Sequence, residues 1–141
     1  MIRKWIVCGT HYDTPLPGYK ERVFRVLDKE LQLVTAFSAK DEEVKLVIIT
    51  GGCKNSADEY AIEWAEANGF PHVEHMGAPG RNLKRNIEMI ENEGPSLVYA
   101  FWDGYSYGTC FTIAHAVRNK REINIIDIPK REAQRPEKPL I

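Results

Sequence analysis

The sequence predicts an α/β protein: a doubly wound, Rossmann-like three-layer sandwich around a five-stranded, mainly parallel sheet. Three observations point there. Short apolar, β-branched runs alternate with longer segments of helical period along nearly the whole chain. Two of those runs pass through a glycine turn directly into a helix start. Strict βαβα order calls for right-handed crossovers, which stack helices on both faces of a parallel sheet.

Each element has its own justification. Ile2 to Cys8 (IRKWIVC) is a short apolar run, strand one, and Gly9 to Gly18 (GTHYDTPLPG) carries the Gly and Pro punctuation of its exit loop. From Tyr19 to about Phe37, Val23, Val26, Leu27, Leu31, Val34 and Phe37 recur at three- and four-residue steps, which predicts helix one with that face inward. Val44 to Thr50 (VKLVIIT) is nearly all apolar, as expected of a strand covered on both faces, and is placed centrally. Gly51 and Gly52 break it. Ser56 can cap a helix over Ala57 to Asn68, closed by Gly69, with Ala61, Ile62, Trp64 and Ala65 inward.

The alternation continues with a weaker strand, His72 to Met76, and a third helix, Arg81 to Asn92, with Leu83, Ile87 and Ile90 on its inner side. Ser96 to Trp102 (SLVYAFW) is a strong fourth strand, Asp103 to Gly108 (DGYSYG) a second glycine turn, Thr109 to Asn119 a fourth helix, and Ile123 to Ile128 (INIIDI) the last strand. Residues 1–128 are thus one domain. The remainder, 129–141, has three prolines and mixed charge without an apolar period, which predicts a surface extension or a cover on a neighbouring subunit.

Bulk composition narrows the function. The 141 residues, 43% apolar and 28% charged, are enough for one self-supporting core. With 19 basic and 20 acidic residues the net charge is −1, so no global field draws the chain to nucleic acid or to an anionic membrane. Any anion must be held by local geometry. The apolar run Trp5 to Cys8 is too short for a signal peptide or a membrane span, and a cytoplasmic location is expected. Cys8, Cys53 and Cys110 form an odd set without CxxC spacing, so reduced thiols, no metal and no cofactor are the expectation. All three nevertheless fall at strand ends or in the following turns. Convergence on a metal or iron–sulfur centre is a minor alternative, and Cys53 and Cys110, near helix starts, could be acidified thiols.

In doubly wound sheets ligands bind outside the carboxyl ends of the strands, and the unusual local sequence of this chain sits there. In TGGCKNSADE (Thr50 to Glu59), Gly51 and Gly52 allow backbone to approach a ligand closely, and the helix starting at Ser56 offers N–H groups to a phosphate. The same residues also make a tight turn with Ser56 as cap and Asp58 favourable to the helix dipole. In FWDGYSYGT (Phe101 to Thr109), Asp103, Gly104, Ser106, Gly108 and Thr109 again lead a strand into a helix start, with two hydroxyls free to meet phosphate or ribose. A plain glycine turn capped by Thr109, with Trp102 and Tyr105 finishing the core, is the alternative. In PGRNLKRNIEMI (Pro79 to Ile90), Arg81 and Arg85 are four apart, either a fork for phosphate or a solvated basic face. In GTHYDT (Gly9 to Thr14), Gly9, Thr10, His11 and Asp13 could contact a base or ribose or act as acid or base, or could simply solvate a loop.

Taken together, GGCKNSAD (Gly51 to Asp58), RNIEM (Arg85 to Met89) and AFWDGYSYGT (Ala100 to Thr109) resemble, in order and context, the motifs of the SLOG superfamily, the Rossmann-like group that includes the DNA-processing protein A domain and the LONELY GUY enzymes. The likeness is greatest to its small YspA-like branch and runs from strand one to strand five. It implies a nucleotide or nucleotide-derived ligand, such as an ADP-ribose derivative or a nucleoside monophosphate, across Gly51, Gly52, Asp58, Arg85, Asn86, Gly104, Ser106, Gly108 and Thr109. It also implies a homodimer paired through the helices after strands three and four. The phosphoribohydrolase members carry a PGGxGTxxE turn whose glutamate helps cleave an N-glycosidic bond; the corresponding position here is Thr112, and Asn55 stands where glycine is usual. Two readings follow: a binding or sensing module without turnover, or an N-glycosidic-bond hydrolase or transferase with Asp13, Asp58, Glu59 or Asp103 as acid or base.

Overall fold

The computed structural model describes residues 2–39, 42–75 and 82–131. The elements alternate as β1 (Ile2–Gly9), α1 (Tyr19–Phe37), β2 (Lys45–Thr50), α2 (Ala57–Asn68), β3 (His72–Glu74), α3 (Asn82–Glu93), β4 (Leu97–Trp102), α4 (Tyr107–Arg118) and β5 (Ile123–Asp127). The sheet runs β3-β2-β1-β4-β5 with every pairing parallel, so it is wholly rather than mainly parallel. The middle strand is β1, and β2 lies beside it. The chain winds outward from β1 to one side through β2 and β3, then returns to place β4 on its other flank. That reversal opens a crevice between the ends of β1 and β4.

Alternation along β1 builds both cores. Trp5 and Val7 pack with Val23 and Leu27 of α1 and with Ala61, Trp64 and Ala65 of α2. Ile6 packs on the opposite face with Ile49, Val98, Met89 and Ile90 of α3 and Ala116 of α4. The first core is strongly aromatic: Trp5 stacks on Trp64 at 6.2 Å, and the Trp64 indole donates to Asp28 Oδ1 at 2.8 Å. Burying side chains of this size contributes about 1.5–3 kcal/mol each, which carries the fold without cross-links.

The structure departs from the periodicity in three places. Phe37 is 86% exposed instead of inward, because the 19-residue helix, about 28 Å long, outlasts the strands it covers. Among the described side chains of α3, Ile90 is buried as predicted, but Asn86 and Met89 are buried beside it while Ile87 is only half-buried, so the inward face is turned toward Asn86. Helix α4 begins at Tyr107, two residues early, with Ser106 at the N-cap; Thr109 is therefore inside its first turn and not its cap. Tyr105 is 70% exposed and finishes no core. The expectations placed on Met76, Arg81, the side chain of Leu83 and residues 132–141 lie outside the described residues. No helix among the described residues is long and apolar enough to cross a membrane.

Candidate functional site

The loop leaving β1 is stitched to β4. Thr10 N–H donates to Phe101 O at 2.8 Å. The Thr10 hydroxyl accepts from Asp103 N–H (3.2 Å) and from the Ser106 hydroxyl (2.9 Å) and donates to Asp103 Oδ1 (3.3 Å). Asp103 Oδ1 also receives the N–H groups of Tyr105 (2.9 Å) and Ser106 (2.8 Å), and Oδ2 receives that of Arg131 (3.0 Å). Burial pushes this carboxyl up, but the N–H groups of Arg131, Ser106 and Tyr105 outweigh it and hold it down at about 2. Asp103 is thus an ionised staple that fixes the start of α4.

The glycine turn after β2 is closed on itself in the same way. Asp58 Oδ2 accepts from Gly51 N–H (3.1 Å) and Cys53 N–H (3.3 Å), and Gly52 N–H donates to Thr50 Oγ1 (3.2 Å). The Ser56 hydroxyl caps α2 by accepting from Asp58 N–H at 3.1 Å and donates to Cys53 O at 2.8 Å. Asn55 has φ 52, a left-handed conformation that Asn tolerates. Glu59 receives Asn55 N–H at 2.9 Å. The amides of Gly51 and Gly52 are therefore spoken for within the turn.

Gly51 has a different function in the structure. A Cβ there would lie 2.6 Å from Arg85 Cζ. Its absence lets the guanidinium lie on the backbone, where Nη1 donates to Gly51 O at 2.9 Å and Nε to Asn86 Oδ1 at 3.0 Å. Asn86 in turn reaches Gly108 O at 3.5 Å. These bonds turn Asn86 inward and account for the rotated face of α3.

A cleft of about 260 Å³ opens at the crevice. From β1 and its exit come Cys8, Gly9, Thr10 and His11; from the turn after β2 and from α2 come Cys53 and Asp58. Helix α3 adds Arg85, Asn86 and Met89, and the α4 end adds Ser106, Tyr107, Gly108, Thr109 and Thr112. The segment beyond β5 adds Arg131. Nine of the residues singled out from the sequence as ligand contacts meet here: Gly9, Thr10, His11, Asp58, Arg85, Asn86, Ser106, Gly108 and Thr109. Gly51, Gly52, Ser56, Asp103 and Gly104 shape the turns around the cleft without lining it, and Asp13 is exposed on the β1 loop. Met89, Tyr107 and Arg131 were not singled out as ligand contacts. Met89 shares a helical face with Arg85 and Asn86, a spacing that was open to reading; Arg131 sits in a charged tail with no signal of its own.

Among the described residues that line the cleft Asp58 is the one carboxylate. Burial pushes it up to about 6 against the N–H of Cys53, the Arg85 charge and the N–H of Gly51, so it crosses between acid and base near neutrality. The thiols do not converge as a triad: Cys8 and Cys53 line the cleft, whereas Cys110 is exposed on α4. Among the described residues no group of three His, Cys, Asp or Glu side chains is placed to hold a metal ion. Nor is Cys53 acidified. Burial, with the Asp58 charge adding to it, raises its pKa despite Arg85. Thr112 is buried, and its hydroxyl donates to Gly108 O at 3.1 Å.

No protein-family profile matches the chain, and no curated protein matches it. Among solved structures the chain is similar to the Moco carrier protein from Chlamydomonas reinhardtii, with a TM-score of 0.64 and 14% identity over 89% of this chain and 76% of that one. At that identity the likeness is one of architecture, and it agrees with the parallel five-stranded, Rossmann-like sandwich described above.

Proposed function

We propose that this protein binds a nucleotide or nucleotide-derived anion in the cleft between β1 and β4. The observation that carries the reading is Arg85. Arg85 lines the cleft, and its guanidinium donates to a backbone carbonyl and an amide oxygen, both neutral, so it is held in place without a direct ion pair; the neighbouring Asp58, pushed up to about 6, offsets its charge only in part. The start of α4 meets the same space. The Ser106 side chain is turned to Thr10 and leaves the helix without a side-chain cap, which suits an incoming anion. Resemblance of the AFWDGYSYGT turn to the YspA-like motif supports a nucleotide over other anions. The protein of similar fold is by name a carrier, a role that asks for binding without turnover.

The test is native mass spectrometry of the purified chain, followed by incubation with AMP, ADP and ADP-ribose while the melting temperature is recorded. A ligand retained intact, or one that stabilises by about 2.7 kcal/mol at a hundredfold excess over its Kd, is the expected result. No binding and no stabilisation by any of the three would sink the reading.

Asp58 favours a second reading. A buried carboxyl at about 6 inside the cleft has the protonation range of a general acid or base for N-glycosidic cleavage. Free base accumulating with time, and ceasing in Asp58→Asn, would replace the binding module by a hydrolase.

A further inference from the structure

The chain does not leave the site when β5 ends. Ile128 N–H donates to Trp102 O at 3.1 Å, and the Ile128 side chain is buried in the aromatic core. Pro129 O accepts the Tyr12 hydroxyl at 2.6 Å, Lys130 Nζ lies 4.5 Å over the Tyr105 ring, and Arg131 N–H is bound to Asp103. Four successive residues are thus anchored across the exits of β1 and β4. This is a fixed strap.

Its last described side chain is held loosely. Arg131 Nη1 reaches His11 O at 3.4 Å and the His11 ring at 3.5 Å, the outer limit of hydrogen bonding, while its backbone is the part fastened to Asp103. Arg131 lines the cleft, as Arg85 does, and its Nη1 lies beside His11, another lining residue. The two are rooted apart: Arg85 on the backbone at the end of β2, Arg131 over the exits of β1 and β4. The strands that lead to those anchors lie one to two interstrand spacings apart, about 5–10 Å. Two linked phosphate groups span that gap, each meeting one planar guanidinium fork.

We propose that Arg131 is a ligand-binding residue, holding a second anionic group beyond the one that Arg85 and Asn86 hold, so that the cleft is matched to a diphosphate and not to a monophosphate. This rests on the nucleotide-binding reading and names the ligand class within it.

Titration calorimetry of the full chain with AMP, ADP and inorganic pyrophosphate tests it. Wild type should prefer ADP over AMP. Arg131→Gln should lower ADP affinity by about tenfold or more and AMP affinity by under about threefold, with Arg131→Lys recovering part of the loss; Arg85→Gln should weaken both nucleotides. The ADP preference of wild type is read without any variant, so a poorly folding mutant does not silence the test. Equal affinity for AMP and ADP, or an Arg131→Gln change that is nil or equal for the two, overturns the assignment while leaving nucleotide binding intact. Arg131-dependent binding of pyrophosphate without either nucleotide keeps the assignment and removes the nucleotide. Failure to bind any of the three overturns both.

Discussion

Asp58 gives the fold a pH dependence of definite sign. In the folded protein its carboxyl sits at about 6, against 3.8 for an ordinary aspartate, so between those values the folded state keeps a proton that the unfolded chain has released. Stability from this group is therefore full below about pH 4 and is lost as pH rises through 6. The gap amounts to about 3 kcal/mol in total, of which about 1.4 kcal/mol falls between pH 5 and pH 7.5. Asp58→Asn removes the titration yet keeps an oxygen to accept the N–H groups of Gly51 and Cys53, so the turn survives. Urea denaturation of wild type and Asp58→Asn at pH 5 and pH 7.5 isolates the effect, because every other titrating group cancels in the difference. The variant should gain about 1.4 kcal/mol on wild type over that interval. A difference that does not change with pH, or that moves the other way, would refute the account of a buried carboxyl kept against its solvation cost. Asp58→Ala supplies the contrast: the buried amide of Gly51 and the half-buried amide of Cys53 lose their acceptor, and stability should fall at both pH values by about 1–3 kcal/mol for the buried one and less for the other.

Three further outcomes are expected. Gly51→Ala drives a Cβ into the Arg85 guanidinium, which is the far end of a flexible side chain, so the melting temperature should change little while nucleotide affinity falls about as far as in Arg85→Gln; calorimetry with both variants checks this. Gly9→Ala places a Cβ 2.5 Å from Tyr19 Oη and 2.9 Å from Phe101 O, where the backbone cannot yield, and should cost about 1–3 kcal/mol or more in urea denaturation. Asp103, held down at about 2, contributes stability that is present above about pH 4 and lost as pH falls toward 2; Asp103→Asn should flatten that acid limb of a melting-temperature profile.

How much of the site was legible depended on how local its causes are. The two glycine turns, the Ser56 cap and the helix start near Ser106 are set within a few residues of chain, and the AFWDGYSYGT and RNIEM segments brought Arg85, Asn86, Ser106, Gly108 and Thr109 to the same sheet edge. What each residue does there was less legible. Gly51 reads from the sequence as a place for a ligand to meet an amide, but its amide serves Asp58 and its missing Cβ seats Arg85, 34 residues away. Asp103 reads as an acid or base, yet four donors have taken its carboxylate.

By itself the sequence determined the class of the fold, because the alternation of period two and period 3.6 requires only that each segment bury its own apolar residues, and the parallel order follows from crossovers long enough to hold a helix. Only the tertiary structure decided that α3 turns Asn86 inward, that Phe37 overruns the sheet, and that the segment after β5 folds back to bring Arg131 to the cleft. The first and last of these rest on bonds between residues far apart in the chain, Asn86 with Gly108, Tyr12 with Pro129 and Asp103 with Arg131, whose partners no local pattern names, and the second on the length of α1 against the strands it covers.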